Sequence, residues 1–153
     1  MTIRTESRIT IAGDVGQVWA YVCDVRRWPE WAPTVLECWV QGGGPLQPGS
    51  RVEQRAKDLR RTHNRSQQVT ALQAPRHVAF AGTMGNSPSR WAMQLEPRHD
   101  GHTEAMMWIE VDLTGIMRAA PGLLKGSLQR VSDREMTLIK KAVESTARHD
   151  AEP

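Results

Sequence analysis

The sequence predicts an α+β chain: about seven strands forming an antiparallel sheet, two short helices after the first strand, and one long helix at the C-terminal end. Three observations predict it. Helical periodicity stands at Asp14–Trp31 and again after Pro121. Between them lies a succession of segments that alternate apolar and polar residues. Those segments are separated by short glycine- and proline-containing turns, which suit neighbouring antiparallel strands and leave no room for helical crossovers.

Arg4 to Ala12 reads as the first strand, with Ser7, Ile9 and Ile11 on one face. Asp14 is an acidic residue able to cap a helix, and Val15, Val18, Trp19 and Val22 follow at helical spacing. Trp28-Pro29-Glu30-Trp31-Ala32-Pro33 comes next. Proline suits a first helical turn and not an interior one, so two helices with a break near Arg26 are expected. Val35 to Gln41 is the second strand, ended by three consecutive glycines and Pro45, with Pro48-Gly49 a further turn. Ser50 to Asp58 sets Arg51, Glu53, Arg55 and Lys57 on one face and Val52, Gln54 and Ala56 on the other.

Arg60-Arg61-Thr62-His63 reads as a basic hairpin tip, after which a strand carrying Arg65, Gln67 and Val69 on one face runs to about Ala74 and stops at Pro75. His77 to Ala81 is a short strand. Gly82 to Ser89, rich in glycine, serine and proline, is expected to be a mobile loop. Arg90 to Glu96 alternates Trp91, Met93 and Leu95 against polar neighbours. Asp100-Gly101 marks a two-residue hairpin turn, and His102 to Leu113 sets Ala105, Met107, Ile109 and Val111 on one face. A helix is expected from Leu123 to Ser145, with Leu124, Leu128, Val131, Leu138, Ile139 and Ala142 in one stripe and Glu135 in its middle. A carboxylate there must reach water or be held by a partner. The reading is one domain over residues 1–148, with 149–153 a frayed tail.

At 153 residues, with 39% hydrophobic and 24% charged residues, the chain is the size of one ordinary globular domain. No stretch is apolar enough to span a membrane and the N-terminus lacks a secretory pattern, so the expected compartment is the cytoplasm. Cys23 and Cys38 are expected as small buried hydrophobes, not a disulfide. A net charge of +3 suits an acidic partner without specifying one. Nucleic-acid binding is not expected, for lack of a wide basic face interleaved with aromatics. Phosphate loops, G-x-S-x-G elbows and H-E-x-x-H motifs are missing, and no metal or cofactor is expected. Six tryptophans against a single Phe and a single Tyr is the unusual feature. Each Trp suits a packed core, and several together with Met on inward faces suit a pocket wall.

The order of a strand, V-W-x-Y-V-x-D-V-x-x-W-P-x-W over Val18 to Trp31, then P-G-S-x-V, Q-A-P-R-H-V-A-F and a D-G hairpin resembles the START/Bet v 1-like (SRPBCC) superfamily, in its polyketide cyclase/dehydrase-type branch, over Arg4 to Glu144. The resemblance implies a helix-grip fold, a curved sheet wrapped around the long C-terminal helix with a hollow between them for an apolar ligand. It places Trp28 and Trp31 at the mouth, Trp91 and Met93 on one wall, and Phe80, Met107 and Ile109 on the sheet side. Leu124 and Leu128 form the lid, and Gln54, Gln67 and Val69 face the same space.

Members of the branch polarise ketone oxygens with an inward Arg and a Tyr. Here Arg65 is the available arginine, and Tyr21, the only tyrosine, is expected off the pocket. Arg65 and Glu135 are therefore the candidate catalytic pair, one to stabilise an enolate and the other to take a proton. The readings that follow are an enzyme that cyclises and aromatises a polyketide-like molecule, a non-catalytic carrier or sensor of a lipid or hydrophobic metabolite, and a subunit of a larger complex. Arg60, Arg61 and Arg65 offer a docking patch for an acidic acyl carrier protein, or simply a solvated hairpin tip.

Overall fold

The computed structural model describes residues 1–58 and 60–151. Its seven strands form one antiparallel sheet: β1 (Thr2–Ile11), β2 (Val35–Val40), β3 (Arg51–Asp58), β4 (Arg61–Gln73), β5 (His77–Met84), β6 (Ser87–Pro97) and β7 (Thr103–Asp112). The order across the sheet is β1-β7-β6-β5-β4-β3-β2, so every neighbour but the β1–β7 pair is joined by a local hairpin or turn. With the long helix α2 (Pro121–Ala151) lying against its concave face, this is the helix-grip fold.

Helix α1 (Val15–Cys23) starts at a reciprocal cap. The Asp14 carboxylate accepts from the Gln17 backbone N–H at 2.9 Å, and the Gln17 side chain accepts from the Asp14 N–H at 3.1 Å. Val18, Tyr21 and Val22 are its buried face. A 3-10 turn, Val25–Glu30, takes Pro29 inside it and delivers Trp28 and then Trp31 to the interior. A register shift in the β2–β3 pair between Val35 and Glu37 leaves Leu36 exposed, and another in the β4–β5 pair between Val69 and Ala71 bends β4.

Three boundaries differ from the sequence reading. Gly82 to Ser89 is not a loop: β5 runs to Met84 and β6 starts at Ser87, with a tight turn at Gly85, whose φ of 60° suits glycine. Polar composition suggested a loop where β5 and β6 pair with each other, Gly82 with Ser89, Thr83 with Pro88 and Met84 with Ser87. Helix α2 continues past Ser145 to Ala151, so residues 149–151, expected as a frayed tail, are helical; 152–153 lie outside the described residues, as does Leu59. Pro121 opens α2, as the fixed φ of proline favours.

Two hydrophobic clusters fill the concave side. The larger joins α1, the inner sheet face and the C-terminal half of α2 through Met136, Ile139 and Val143. The smaller gathers Ile3, Val111 and Leu113 with Met84, Met117, Leu124 and Leu128, and Ile109 touches both. Helix α2 is fastened chiefly to β1: Ser7 Oγ donates to Asp133 at 2.7 Å, Gln129 to the Glu6 carbonyl at 2.7 Å and Lys140 to the Thr10 carbonyl at 2.8 Å. Beyond β1, the N-terminal half of the helix meets the sheet through Leu124 and Leu128 and for the rest roofs a space.

Candidate ligand cavity

A cavity of about 400 Å³ lies between the two clusters, under the N-terminal half of α2. Strand register explains its floor. Cys38, Gln54 and Arg65 are cross-strand partners in one inward row, and Val69, Phe80, Trp91 and Ile109 in the next; of these Gln54, Arg65, Trp91 and Ile109 reach the cavity. On α2, Leu124, Leu128, Val131 and Glu135 recur at spacings of four, three and four and form the roof.

The closed end is aromatic. Trp28 meets Phe80 edge-on at 5.3 Å and Trp91 at 5.4 Å, Phe80 stacks on Trp91 at 4.5 Å, and Trp31 tilts against Trp28 at 5.8 Å. Two of the three indoles are committed internally: Trp28 Nε1 donates to the Val22 carbonyl at 2.8 Å and Trp91 Nε1 to Gln67 Oε1 at 2.6 Å. Trp31 Nε1 is buried with no partner. Gln54 Oε1 and Arg65 Nε are also buried and unpaired, and all three residues line the cavity. A buried polar atom left unmade costs about 1–3 kcal/mol. The fourth such atom among the described residues, Thr5 Oγ1, belongs to a residue outside the lining.

Glu135 completes the polar group. Burial pushes its carboxyl up from 4.5 to about 7, and the charge of Arg65 acts in the opposite direction. Its state therefore changes near neutrality. The other nucleophile or base candidates are silenced by burial, which raises the Cys23 and Cys38 thiols to about 12 and, with Glu30 beside it, the Tyr21 hydroxyl to about 12.

Of the residues expected from sequence, the structure brings Arg65, Glu135, Trp28, Trp31, Gln54, Gln67, Trp91, Met107, Ile109, Leu124 and Leu128 together around this space. Val69, Phe80 and Met93 are not in its wall. They lie in the larger core, at most 2% exposed, and Trp28 packed edge-on against Phe80 helps seal that part of the inward face. Trp28 and Trp31 are not at a mouth either: at 1% and 2% exposure they are the cavity's deep end. Arg65 is half-buried and lines the cavity with its Nε buried, whereas Arg60 and Arg61 are exposed at the β3–β4 tip. Ser66, Thr83, Ser89 and Ser127 also line the cavity. Small polar residues carry no periodic signal, and Thr83 and Ser89 fell in the stretch that reads as a loop.

A larger groove, about 680 Å³, runs on the outside between Trp19, Cys23 and Arg26 and the Gly43–Leu46 loop. It holds no buried unpaired polar atom. The smaller cavity is the better candidate, because buried polar atoms lacking partners are what a ligand would satisfy.

Residues 2–144 match the sequence profile of the family described as polyketide cyclase/dehydrase and lipid transport. The chain belongs to that family. Among solved structures it is similar to the ZhuI aromatase/cyclase from Streptomyces sp. R1128, at 14% identity and a TM-score of 0.74 over 99% of this chain and 97% of that one. It is also similar to the polyketide-cyclase-like protein Cgl2372 of Corynebacterium glutamicum, at 22% identity and a TM-score of 0.61 over 100% and 98%. Against the di-domain ARO/CYC protein StfQ from the steffimycin biosynthetic pathway the values are 14% and 0.76, over 96% of this chain and 52% of that one. This family member thus spans about half of StfQ. At these identities the likeness is one of fold. No curated protein matches the sequence. Among the described residues, no helix is long and apolar enough to cross a membrane.

Proposed function

We propose that the cavity encloses an apolar, polyketide-like molecule and promotes its cyclisation and aromatisation. One observation carries this reading: Trp31 Nε1, Gln54 Oε1 and Arg65 Nε are buried without partners in an otherwise largely apolar cavity that also holds Glu135. Such a wall suits a flat or folded carbon skeleton bearing a few oxygens. A carboxyl titrating at about 7 is matched to moving protons at neutral pH.

In the proposed reaction the Glu135 carboxylate removes a proton from the carbon beside a ketone. The developing enolate oxygen accepts hydrogen bonds from Arg65 and Trp31, which are in place before charge appears. The enolate carbon attacks a second carbonyl of the same chain, forming the ring C–C bond, and Glu135 returns the proton to the new alkoxide. Removal of a further α-proton by Glu135 and departure of the hydroxyl with that proton release water and leave a C=C bond. Gln54 would fix which carbonyl lies near Arg65, and the tryptophans would stack on the forming ring. Delivery of a tethered chain by an acyl carrier protein at Arg60 and Arg61, in the cytoplasm, belongs to the same reading.

The test is a matched pair of variants. Glu135→Gln should lower turnover of a poly-β-ketone substrate by about 10²- to 10⁴-fold, and Arg65→Ala should lower it comparably. Both should keep ligand binding, followed by quenching of the cavity tryptophans. Unchanged turnover in both variants would sink the enzymatic reading. The second reading, a carrier of a lipid or hydrophobic metabolite, is favoured by how few titratable side chains line the cavity, Glu135 and Arg65 alone. Native mass spectrometry of protein purified from its own host would show the cargo, and Glu135→Gln would leave carriage intact.

A further inference from the structure

The surface beside the open side of the cavity has an unusual composition. Ile116, on the short 3-10 turn Gly115–Ala119, is 91% exposed, and Leu123, in the first turn of α2, is 73% exposed. Single exposed hydrophobics need no explanation. Ile116 adjoins Met117 and Leu123 adjoins Leu124; Met117, Leu124 and Leu128 pack against the smaller core of Ile3, Val111 and Leu113, and Leu124 and Leu128 also roof the cavity. From Gly115 to Ser132 the sequence has no acidic residue and carries the cations Arg118, Lys125 and Arg130. None of the three is ion-paired among the described residues.

The surrounding carboxylates are already engaged. Glu110 is held by Arg4 and Arg90, Asp112 by Arg90 and the Thr2 hydroxyl, and Asp133 accepts from Ser7 and Gln129 on the β1 side. The strand register brings the β3–β4 tip, with Arg60 and Arg61, to the same end of the sheet. Three cations with no ion-pair partner among the described residues thus accompany two apolar projections on one acid-free stretch that also roofs the ligand cavity.

We propose that this end docks on an anionic lipid bilayer. Ile116 and Leu123 enter the interface between headgroups, Arg118, Lys125 and Arg130 meet the lipid phosphates, and the cavity opens toward the membrane. Apolar insertion and attraction to anionic lipid are each weak alone and together hold a protein at a membrane surface. A protein partner would need a pocket shaped for each of two separate projections, whereas a fluid interface accepts both without complementarity of shape. The inference holds for either reading of the cavity.

The test is flotation of the full chain with phosphatidylcholine vesicles containing phosphatidylglycerol, against phosphatidylcholine alone. The wild type should float with the anionic vesicles only, and added salt should release it. Replacing both Ile116 and Leu123 by Ser should weaken binding about tenfold or more, and neutralising Arg118 and Lys125 should cost about fivefold for each cation removed. All four residues are at or near the surface, so circular dichroism and thermal melts should match the wild type. Glu135→Gln should float like the wild type, which separates this result from the fate of the proposed chemistry. No flotation of the wild type, or equal flotation of the Ile116/Leu123 variant, overturns the proposal. Binding of these residues to an acidic carrier protein without binding to vesicles overturns it in favour of a protein partner.

Discussion

Glu135 concentrates the chemistry of the molecule in one ionisable group. Because burial raises its carboxyl above the unfolded value, the native state binds more protons than the unfolded chain between about pH 4.5 and 7. Stability from this group is therefore full at the acid side and falls as pH rises through that window, by up to about 3 kcal/mol. Urea unfolding across this range should show the decline, and Glu135→Gln should remove it. Turnover should behave in the opposite sense, rising with pH toward a midpoint near 7 as the base ionises. With the charge of Arg65 removed, that midpoint should move upward. The tryptophans divide along similar lines. Trp28→Phe strands the buried Val22 carbonyl and should cost about 1–3 kcal/mol in a denaturant melt. Trp31→Phe removes a donor that has no internal partner, so it should spare stability and instead weaken binding of an oxygen-bearing ligand.

Among the elements, β4, β5 and α2 set the cavity's dimensions. Gly82 on β5 lies so close to β4 that a Cβ there would sit 3.1 Å from the Ser66 carbonyl and 3.3 Å from Gln67 Cγ. The carbonyl is sheet backbone and cannot easily yield. Gly82→Ala should destabilise by about 1–3 kcal/mol and disturb Gln67, which holds the Trp91 indole. Normal thermal stability with unaltered ligand binding in this variant would show that the sheet gives way there. Helix α2 divides its work along its length. Met136, Ile139 and Val143 are buried in the core, while Leu124, Leu128 and Val131 roof a space. Its apolar stripe is periodic throughout, so periodicity alone could not say which half packs and which half spans a gap.

At the scale of the whole molecule, the cavity exists because α2 is fastened along β1 at one edge of a sheet that curves away from it. Filling that space should be tolerated where filling a packed core is not. Leu128→Trp should hold or raise the melting temperature while abolishing ligand binding, and a large loss of stability would mean that the roof already meets the floor. The family match and the structural likenesses support this architecture, and the membrane-facing end proposed above follows from the same asymmetry, since the first turns of α2, up to Ser132, carry cations and no acidic residue.

Much of this was legible in the residues. The Asp14 cap, the strand alternation, the inward row of Gln54, Arg65 and Gln67 and the place of the Asp100-Gly101 turn follow from local rules of period two and period 3.6 and from turn chemistry. That turn is a five-residue connection, 98–102, and not the expected two-residue one. Arg65 and Glu135 stand out because a charge at an inward position breaks those rules. The depth of Trp28 and Trp31, the removal of Val69, Phe80 and Met93 from the wall, and the true strands hidden in Gly82–Ser89 were not legible. Each depends on what the opposing element covers. Sequence by itself determined which side chains point inward. Only tertiary structure decided which of them touch one another and which face an empty space, because that depends on where along α2 the sheet curves away, a distance between segments that no local pattern encodes.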